Sequence, residues 1–404
     1  INMEIHRSGG DFGWKIKKGV IQMVNEKRML GTFYDLVRIY APSGGEREVC
    51  EYLKKKLREL GASRIAEDHA GEKTGSACGN LIAFFNETMP GLPSVAFTAH
   101  MDCVETCRDI QPVLENGVIR SSGDTILGGD DKAGVAAILE GLALMKEGFL
   151  PHGKITVIFT VQEESGLGGS SHIDEELLRG IDFGYVLDCD GAPGTAIIQG
   201  PGQYKITCTM HGRAAHAGVA PEKGINAIAM MAKALSSMKL GRIDEETTCN
   251  VGCISGGKAT NIVPDTCTAY AEARSLNHDK LMQIVKEMET SFQNAEKKFP
   301  GGRAEIESRE MYRSFSIAED HPAVKLFKSA AGAAGFPVSV GPSGGGSDAN
   351  WFSVKGFPAL LLGVGMTDFH TSEESLKEQD LYHSGELVYR MIEALPHFQQ
   401  HHSI

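Results

Sequence analysis

The sequence predicts an α/β protein in which a mixed, mostly parallel sheet is flanked by helices and interrupted by an inserted α+β domain of ferredoxin-like order. Three observations predict it. Short continuous apolar runs alternate with helical patterns through the first half of the 404 residues, the signature of an α/β layer structure. From about Gln203 to Phe315 the order becomes β-α-β-β-α-β, which can close a two-layer core of its own. After Phe315 the earlier rhythm resumes, so the smaller domain reads as an insertion. The expected boundaries are 1–22 for a leader or extension, 23–202 with 315–398 for the discontinuous main domain, and 203–314 for the insert.

Each element has a local reason. The opening INMEIHRSGGDFGWKIKKGV has neither a signal-peptide core nor a cleavage pattern, and the first helical pattern starts near Ile21. Ser43-Gly44-Gly45-Glu46 reads as a capping box opening a helix through Leu60, with Leu53, Leu57 and Leu60 on one face. The runs NLIAFF (80–85), SVAFTAH (94–100), KITVIFTV (154–161) and FGYVLDCD (183–190) suit strands buried on both faces. In the insert, strand YKITCTMHG leads to a helix around INAIAMMAKALSSM, strands TTCNVGCIS and CTAYAEARS, a helix from Asn277 to Phe299, and strand RAEIESREMY. Within that second helix Leu281, Val285, Met288 and Phe292 repeat at helical spacing. A helix near 321–334, the glycine-rich PSGGGSDANWF, strand PALLLG and a final helix from His383 complete the chain.

Composition narrows the function. Lys and Arg number 40 against 52 Asp and Glu, a formal charge of −12, whereas nucleic-acid and anionic-membrane binders cluster basic residues on phosphate. Neither partner is expected. Hydrophobic residues at 42% and charged residues at 23% fit a globular protein and exclude a disordered or fibrous one. No apolar run reaches the roughly 18 residues of a membrane span. Nine cysteines, odd in number and without a CxxC pair, read as reduced and mostly buried thiols of a cytoplasmic protein.

Acids and histidines collect where strands end, which is where an open α/β sheet places its ligands. TAHMD supplies His100 and Asp102, the acid placed to orient the site around the histidine. LGGDDKAG supplies Asp130 and Asp131 in a turn before a helix, and DFHTSEE puts His370 in a loop after PALLLG. TVQEESGLGG supplies Glu163 and Glu164 at a strand end; consecutive strand side chains point opposite ways, so one can bind metal while the other moves a proton. VLDCDGAPG supplies Asp188 and Asp190, which alternate onto one face. Two histidines with surplus carboxylates form the mixed N/O set of zinc or a similar ion, and the surplus favours two ions sharing a carboxylate. Rival signals are poorer: GLGGSS (166–171) lacks the third glycine of a dinucleotide fingerprint, GPSGGGSDA lacks the Lys of a phosphate loop, and Ser165 and Ser171 form no nucleophile elbow.

In this order around an insert, TAHMD, GGDDKAG, QEESGLGG, DG-A-P and the late histidine resemble the dizinc metallopeptidases that include peptidase T, glutamate carboxypeptidase and aminoacylase. The resemblance spans about residues 25 to 395, and the peptidase T branch fits best. It implies a zinc-peptidase-like catalytic domain in which His100 and Asp190 hold one zinc, Glu164 and His370 the other, and Asp130 bridges them. Asp190 is preferred to Asp188 because the family acid is followed by Gly and then Pro. Asp102 would orient the site, Glu163 would be the general base, and the 130–131 peptide bond would be cis. In the insert, HGRAAHAG, GGKATNIVP and AEARS imply substrate contacts by His216, Asn261 and Arg274, with His216 on the oxyanion and Arg274 on a carboxylate. Gly344 stands where the tripeptidases carry an arginine, so strict tripeptide selectivity does not follow.

The resulting expectation is a cytoplasmic metallopeptidase cleaving short peptides, a di- or tripeptide aminopeptidase, in which Glu163 deprotonates a water activated between two divalent ions. Zinc is expected first, with cobalt or manganese as substitutes, and a homodimer through the insert fits the resemblance. The alternatives are an N-acyl-amino-acid amidohydrolase or carboxypeptidase on the same metal core and, behind these, a non-catalytic binding protein on this fold.

Overall fold

A computed structural model describes residues 24–398, so the expected leader at 1–22 lies outside the described residues. Helix α1 (Glu26–Arg38) begins at Asn25, whose side chain accepts from the amide of Arg28, and buries Met29, Phe33, Leu36 and Val37. Helix α2 (Arg47–Leu60) buries Val49, Cys50, Leu53 and Leu57 and ends at Gly61, whose φ of 99° suits glycine.

The capping box expected at 43–46 does not form. Glu46 occupies the cap position without a side-chain cap bond. Its fully buried carboxylate instead accepts from the amides of Gly44 (2.8 Å) and Gln162 (3.0 Å) and from Ser76 Oγ (2.6 Å). Ser43 Oγ donates to Asp102 Oδ2 at 2.6 Å. Buried loop amides and acids need partners more than a helix end does, because the helix end can find water.

The further elements are β1 (Arg64–Glu67), β2 (Leu81–Phe85), β3 (Val95–His100), α3 (Gly129–Gly148), β4 (Ile155–Thr160), β5 (Phe183–Cys189), β6 (Gly202–His211), α4 (Ala227–Leu235), β7 (Thr247–Gly256), β8 (Thr266–Ser275), α5 (His278–Glu296), β9 (Arg303–Tyr312), α6 (Pro322–Ala334), β10 (Ala359–Gly363) and α7 (Glu378–Ala394). They divide into two compact units: one runs to Ala196, with Ala318–Val340 and the chain from Lys355 on, and the other holds Ile197–Ile317 with Gly341–Val354.

Among the described residues a nine-stranded sheet includes six strands in the order β1-β2-β4-β3-β5-β10. Strand β3 is parallel to both β4 and β5, and β10 is parallel to β5, whereas β2 is antiparallel to β1 and β4. Every residue of β3 and β4 is buried, as their unbroken apolar runs require. The mixed sheet read from the sequence is therefore present, with its parallel strands β4, β3, β5 and β10 adjacent to one another. Helix α3 is enclosed by β3, β5, α1 and α7, which explains why it lacks a polar stripe. At Gly134 it touches β5 so closely that a Cβ would lie 2.0 Å from the carbonyl of Leu187. The ends of β3, β4, β5 and β10 share one edge, with His100 level with Thr160 in the β3–β4 register. A small antiparallel sheet of 112–115, 118–121, 366–367 and 375–377 had no counterpart in the sequence reading, since strands this short carry little alternation.

The second unit holds a sheet in the order β7-β8-β6-β9, all antiparallel, with residues 241–242 added beside β7. Ile206, Cys208, Met210, Ala269 and Ala273 from the sheet pack with Met230, Met231, Leu281, Met288 and Phe292 from α4 and α5. Residues 341–354 join this unit, where Asn350 Nδ2 donates to the carbonyls of Pro201 (2.9 Å) and Arg313 (2.6 Å).

Candidate dimetal active site

The chemistry gathers at the shared strand edge of the first unit. His100 is the last residue of β3, is 1% exposed, and points Nε2 at Asp130 Oδ1 (2.9 Å) and Asp188 Oδ1 (3.5 Å). Its Nδ1 lies 3.0 Å from the carbonyl of Asp102, which accepts the ring proton and leaves Nε2 for a ligand. Asp130 Oδ2 lies 3.0 Å from His370 Nε2, and Glu164 Oε2 is 2.8 Å from the same nitrogen. One carboxylate thus addresses two histidines, one with each oxygen.

Asp130, in the first turn of α3, has non-helical backbone angles, and its bond to Asp131 is cis. Asp131 turns away from the cluster. It accepts from the amides of His100 (3.1 Å) and Gly134 (3.2 Å), locking the start of α3 to the end of β3. Asp102, fully buried, accepts from the amides of Glu163 (3.0 Å) and Glu164 (3.3 Å) and from Ser43 Oγ. Lys132, also fully buried, donates to the carbonyls of Met101 and Asp102 and to Cys103 Sγ.

Two expectations are corrected. The acid beside His100 is Asp188 and not Asp190: Asp188 is still within β5 and its side chain points into the cluster, whereas Asp190 follows the strand, is exposed, and accepts from Cys189 Sγ. The strand alternation that made both acids candidates ends at Cys189, so the family spacing of Asp, Gly and Pro selected the wrong one. Glu163 and Glu164, for their part, do not diverge as strand neighbours. Strand β4 stops at Thr160, and both glutamates lie in a turn whose amides are gathered by Asp102.

Three supports went unread as site residues: Glu374, Ser43 and Lys132. Glu374, four residues beyond His370, is 1% exposed and accepts from the amides of Leu127, Gly128 and Asp130. The second acid of SEE was its signal, but an acidic pair in a loop reads as solvated surface. Ser43 reads as part of a capping box, and the sequence reading gives Lys132 of GGDDKAG no role.

Electrostatics binds the cluster. Burial opposes a charge on His100, yet Asp188, Asp102 and Asp130 outweigh it and hold its pKa well above the ordinary histidine value. His370 is raised to about 10 by its hydrogen bonds to Asp130 and Glu164. Burial would raise Asp130, but the two histidines bring it below the usual carboxylate range. Burial prevails for Asp131, Glu164 and Glu374, the last raised to about 7.

These residues fit two divalent cations. Among the described residues, His100, Asp130 and Asp188 form one compact donor group, and Asp130, Glu164 and His370 form another that shares Asp130. Glu164 Oε1 is buried with no hydrogen-bond partner, as an oxygen awaiting a cation would be. A third group, Cys50 with Glu51 and Glu67, differs because Lys54 lies 2.8 and 2.6 Å from its carboxylates and Arg47 2.8 Å from Glu67.

The substrate candidates belong to the second unit. His216 is exposed and its strand-like pairing with Ile262 brings the Asn261 loop alongside, with the Ala217 amide donating to the Asn261 carbonyl at 2.9 Å. Arg274, near the far end of β8, is held by Glu272 at 3.2 Å and reaches the carbonyl of Gly344 at 3.5 Å. The structure brings His216 and Asn261 together but leaves Arg274 apart: from Thr266 to Arg274 alone the strand covers about 26 Å.

Known proteins resemble this chain over nearly its whole length. The peptidase dimerisation domain pattern matches residues 199–300, and that of peptidase family M28 matches 80–223. An uncharacterised Bacillus subtilis protein, YqjE, is 43% identical over 92% of this chain and 99% of its own. Among solved structures, aminopeptidase PepT from Bacillus cereus is 41% identical with a TM-score of 0.87, and a Staphylococcus aureus tripeptidase is 38% identical with a TM-score of 0.90. Each is matched over 93% of this chain and 100% of its own.

Two outcomes follow for metal binding. Replacing Asp188 by Ala should remove one ion from the protein, whereas Asp190→Ala should retain both, as counted by elemental analysis after desalting; the reverse pattern would restore Asp190. A metal ion must also displace the proton of His370, whose pKa is raised to about 10 by Asp130 and Glu164. Uptake near pH 7 should therefore release a proton from that histidine, and affinity should climb with pH through the neutral range. Calorimetry in buffers of different ionisation enthalpy reads that release, and a buffer-independent heat would refute it.

Proposed function

The chain belongs to the peptidase T-like branch of the M20 metallopeptidases, and from that premise we propose how its residues cleave a peptide bond. It is a peptide-bond hydrolase. The observation that carries the residue assignment is the single carboxylate of Asp130 facing His100 and His370 at 2.9 and 3.0 Å, with Asp188 and Glu164 completing the two donor groups. On this reading His100 and Asp188 hold one ion, Glu164 and His370 the other, and Asp130 both. Zinc suits the mixed imidazole and carboxylate donors, with cobalt or manganese as substitutes. When bound, two such ions supply a water of lowered pKa and polarise the scissile carbonyl.

The protein's own groups do the rest. Glu163 accepts the proton of the attacking water and passes it to the leaving amine. Asp102 holds the backbone of that base by its amide, so the base and the neighbouring ligand Glu164 move as one. His216 supports the developing oxyanion, Asn261 positions the peptide and Arg274 takes a carboxylate. The substrates are short peptides with a free amine. The nine cysteines are free thiols, which fits a reducing compartment such as the cytoplasm.

The separation of Arg274 from His216 and Asn261 favours a homodimer through the second unit. An extended tripeptide reaches only about 10 Å, so one copy cannot present both groups to the same substrate across a strand of about 26 Å. A two-fold dimer can, with Arg274 from one copy and His216 and Asn261 from the other.

Chelation should abolish hydrolysis of unblocked di- and tripeptides, and zinc or cobalt should restore it. Glu163→Gln should keep both ions and lower kcat by about 10²–10⁴-fold. Full turnover by that variant would exclude it as the base, and equal turnover of N-acetylated peptides would point to the amidohydrolase alternative. Separately, His216→Ala and Arg274→Ala should each be nearly inactive, but subunit exchange between them should restore about a quarter of wild-type activity, because half the dimers then carry one intact site of two. Mixtures no more active than their components would assign all three residues to one copy.

A further inference from the structure

We propose that Glu374 is a positioning residue of the dimetal centre, a clamp that joins the loop of His370 to the turn of Asp130. The inference rests on the dimetal reading and extends it to a residue outside the ligand set. His370 has a side chain 45% exposed and a φ of +64°, and Asp368 before it stands at +52°. Its loop closes on itself through Thr371, whose Oγ1 donates to the Asp368 carbonyl at 2.7 Å and accepts from the Glu373 amide at 3.1 Å. Such a loop needs an anchor in the interior if its histidine is to hold a ligand position.

Glu374 supplies that anchor. Its Oε2 accepts from the amides of Leu127 and Gly128, both at 2.8 Å, and its Oε1 accepts from the amide of Asp130 at 3.0 Å. A carboxyl group that accepts from three amides is fixed in direction as well as place. The third amide belongs to the bridging residue itself. Displacing the Glu374 carboxylate therefore displaces the backbone from which Asp130 reaches both histidines, and at the same time frees the loop of His370. The turn is also cut to fit: a Cβ at Gly129 would lie 3.0 Å from Glu374 Oε1, while the next atoms are 3.8 and 3.9 Å away.

The test is cobalt titration of the chelated full-length protein, followed by visible absorption and calorimetry, with peptide turnover measured alongside. Wild type should take two equivalents. Glu374→Gln offers an amide to the backbone N–H groups in place of one acceptor oxygen. It should keep the first equivalent and bind the second about 10–100-fold more weakly, the usual penalty for losing a group that orients a ligand. Its kcat should fall at limiting metal and recover at saturating metal, with KM unchanged, a split that a merely structural defect would not give. Gly129→Ala, which keeps the carboxylate but crowds it, should shift the second equivalent in the same direction and serves where the glutamine variant does not fold. Two equivalents at wild-type affinity in the variants would overturn the clamp and leave the dimetal reading standing. A wild type that takes fewer than two would overturn both.

Discussion

Asp130 faces His100 with one oxygen and His370 with the other, and around it Asp188, Glu164, Asp102 and Glu374 crowd into a water-poor edge of the sheet. Carboxylates taken out of water cost several kcal/mol each unless they are compensated. The surrounding structure is the compensation. Histidine protons are drawn in until their pKa values rise, and cations competing for the same nitrogens inherit a site already shaped for positive charge.

The fold meets that demand through backbone amides more than through basic side chains. Asp102 takes the amides of Glu163 and Glu164, Asp131 those of His100 and Gly134, Glu374 those of Leu127, Gly128 and Asp130, and Glu46 those of Gly44 and Gln162. Each acid thereby joins segments far apart in sequence. Lys132 is a buried cation beside them, donating to the carbonyls of Met101 and Asp102 and to Cys103 Sγ. An arrangement of this kind fixes ligand directions before any ion arrives, which is the property a catalytic metal site needs.

The second unit answers a different physical problem. Its antiparallel sheet buries α4 and α5 on a core rich in Met, Cys and Ala. The groups read as substrate contacts stand toward opposite ends of a ten-residue strand. In the proposed dimer a small substrate would meet these groups from two copies, and assembly would belong to the chemistry itself.

Much of this was legible in the residues. Unbroken apolar runs located β2 to β5 because a strand covered on both faces has no polar side to display, and heptad-like spacing located α5 because one face alone is buried. Residue types at strand ends offered His100, Asp130, Asp131, Glu163, Glu164 and His370 as candidates, and the family resemblance chose among them. Tertiary structure decided what spacing could not. Whether Asp188 or Asp190 enters the cluster depends on where β5 stops, and whether Ser43 and Glu46 cap a helix or brace a turn depends on which buried amides lack partners. The role of Glu374 shows only when the fold sets it against three amides contributed some 245 residues earlier. The sequence specifies which groups are available; their assignment follows from desolvation, because only the folded chain determines which charges are buried and what must face them.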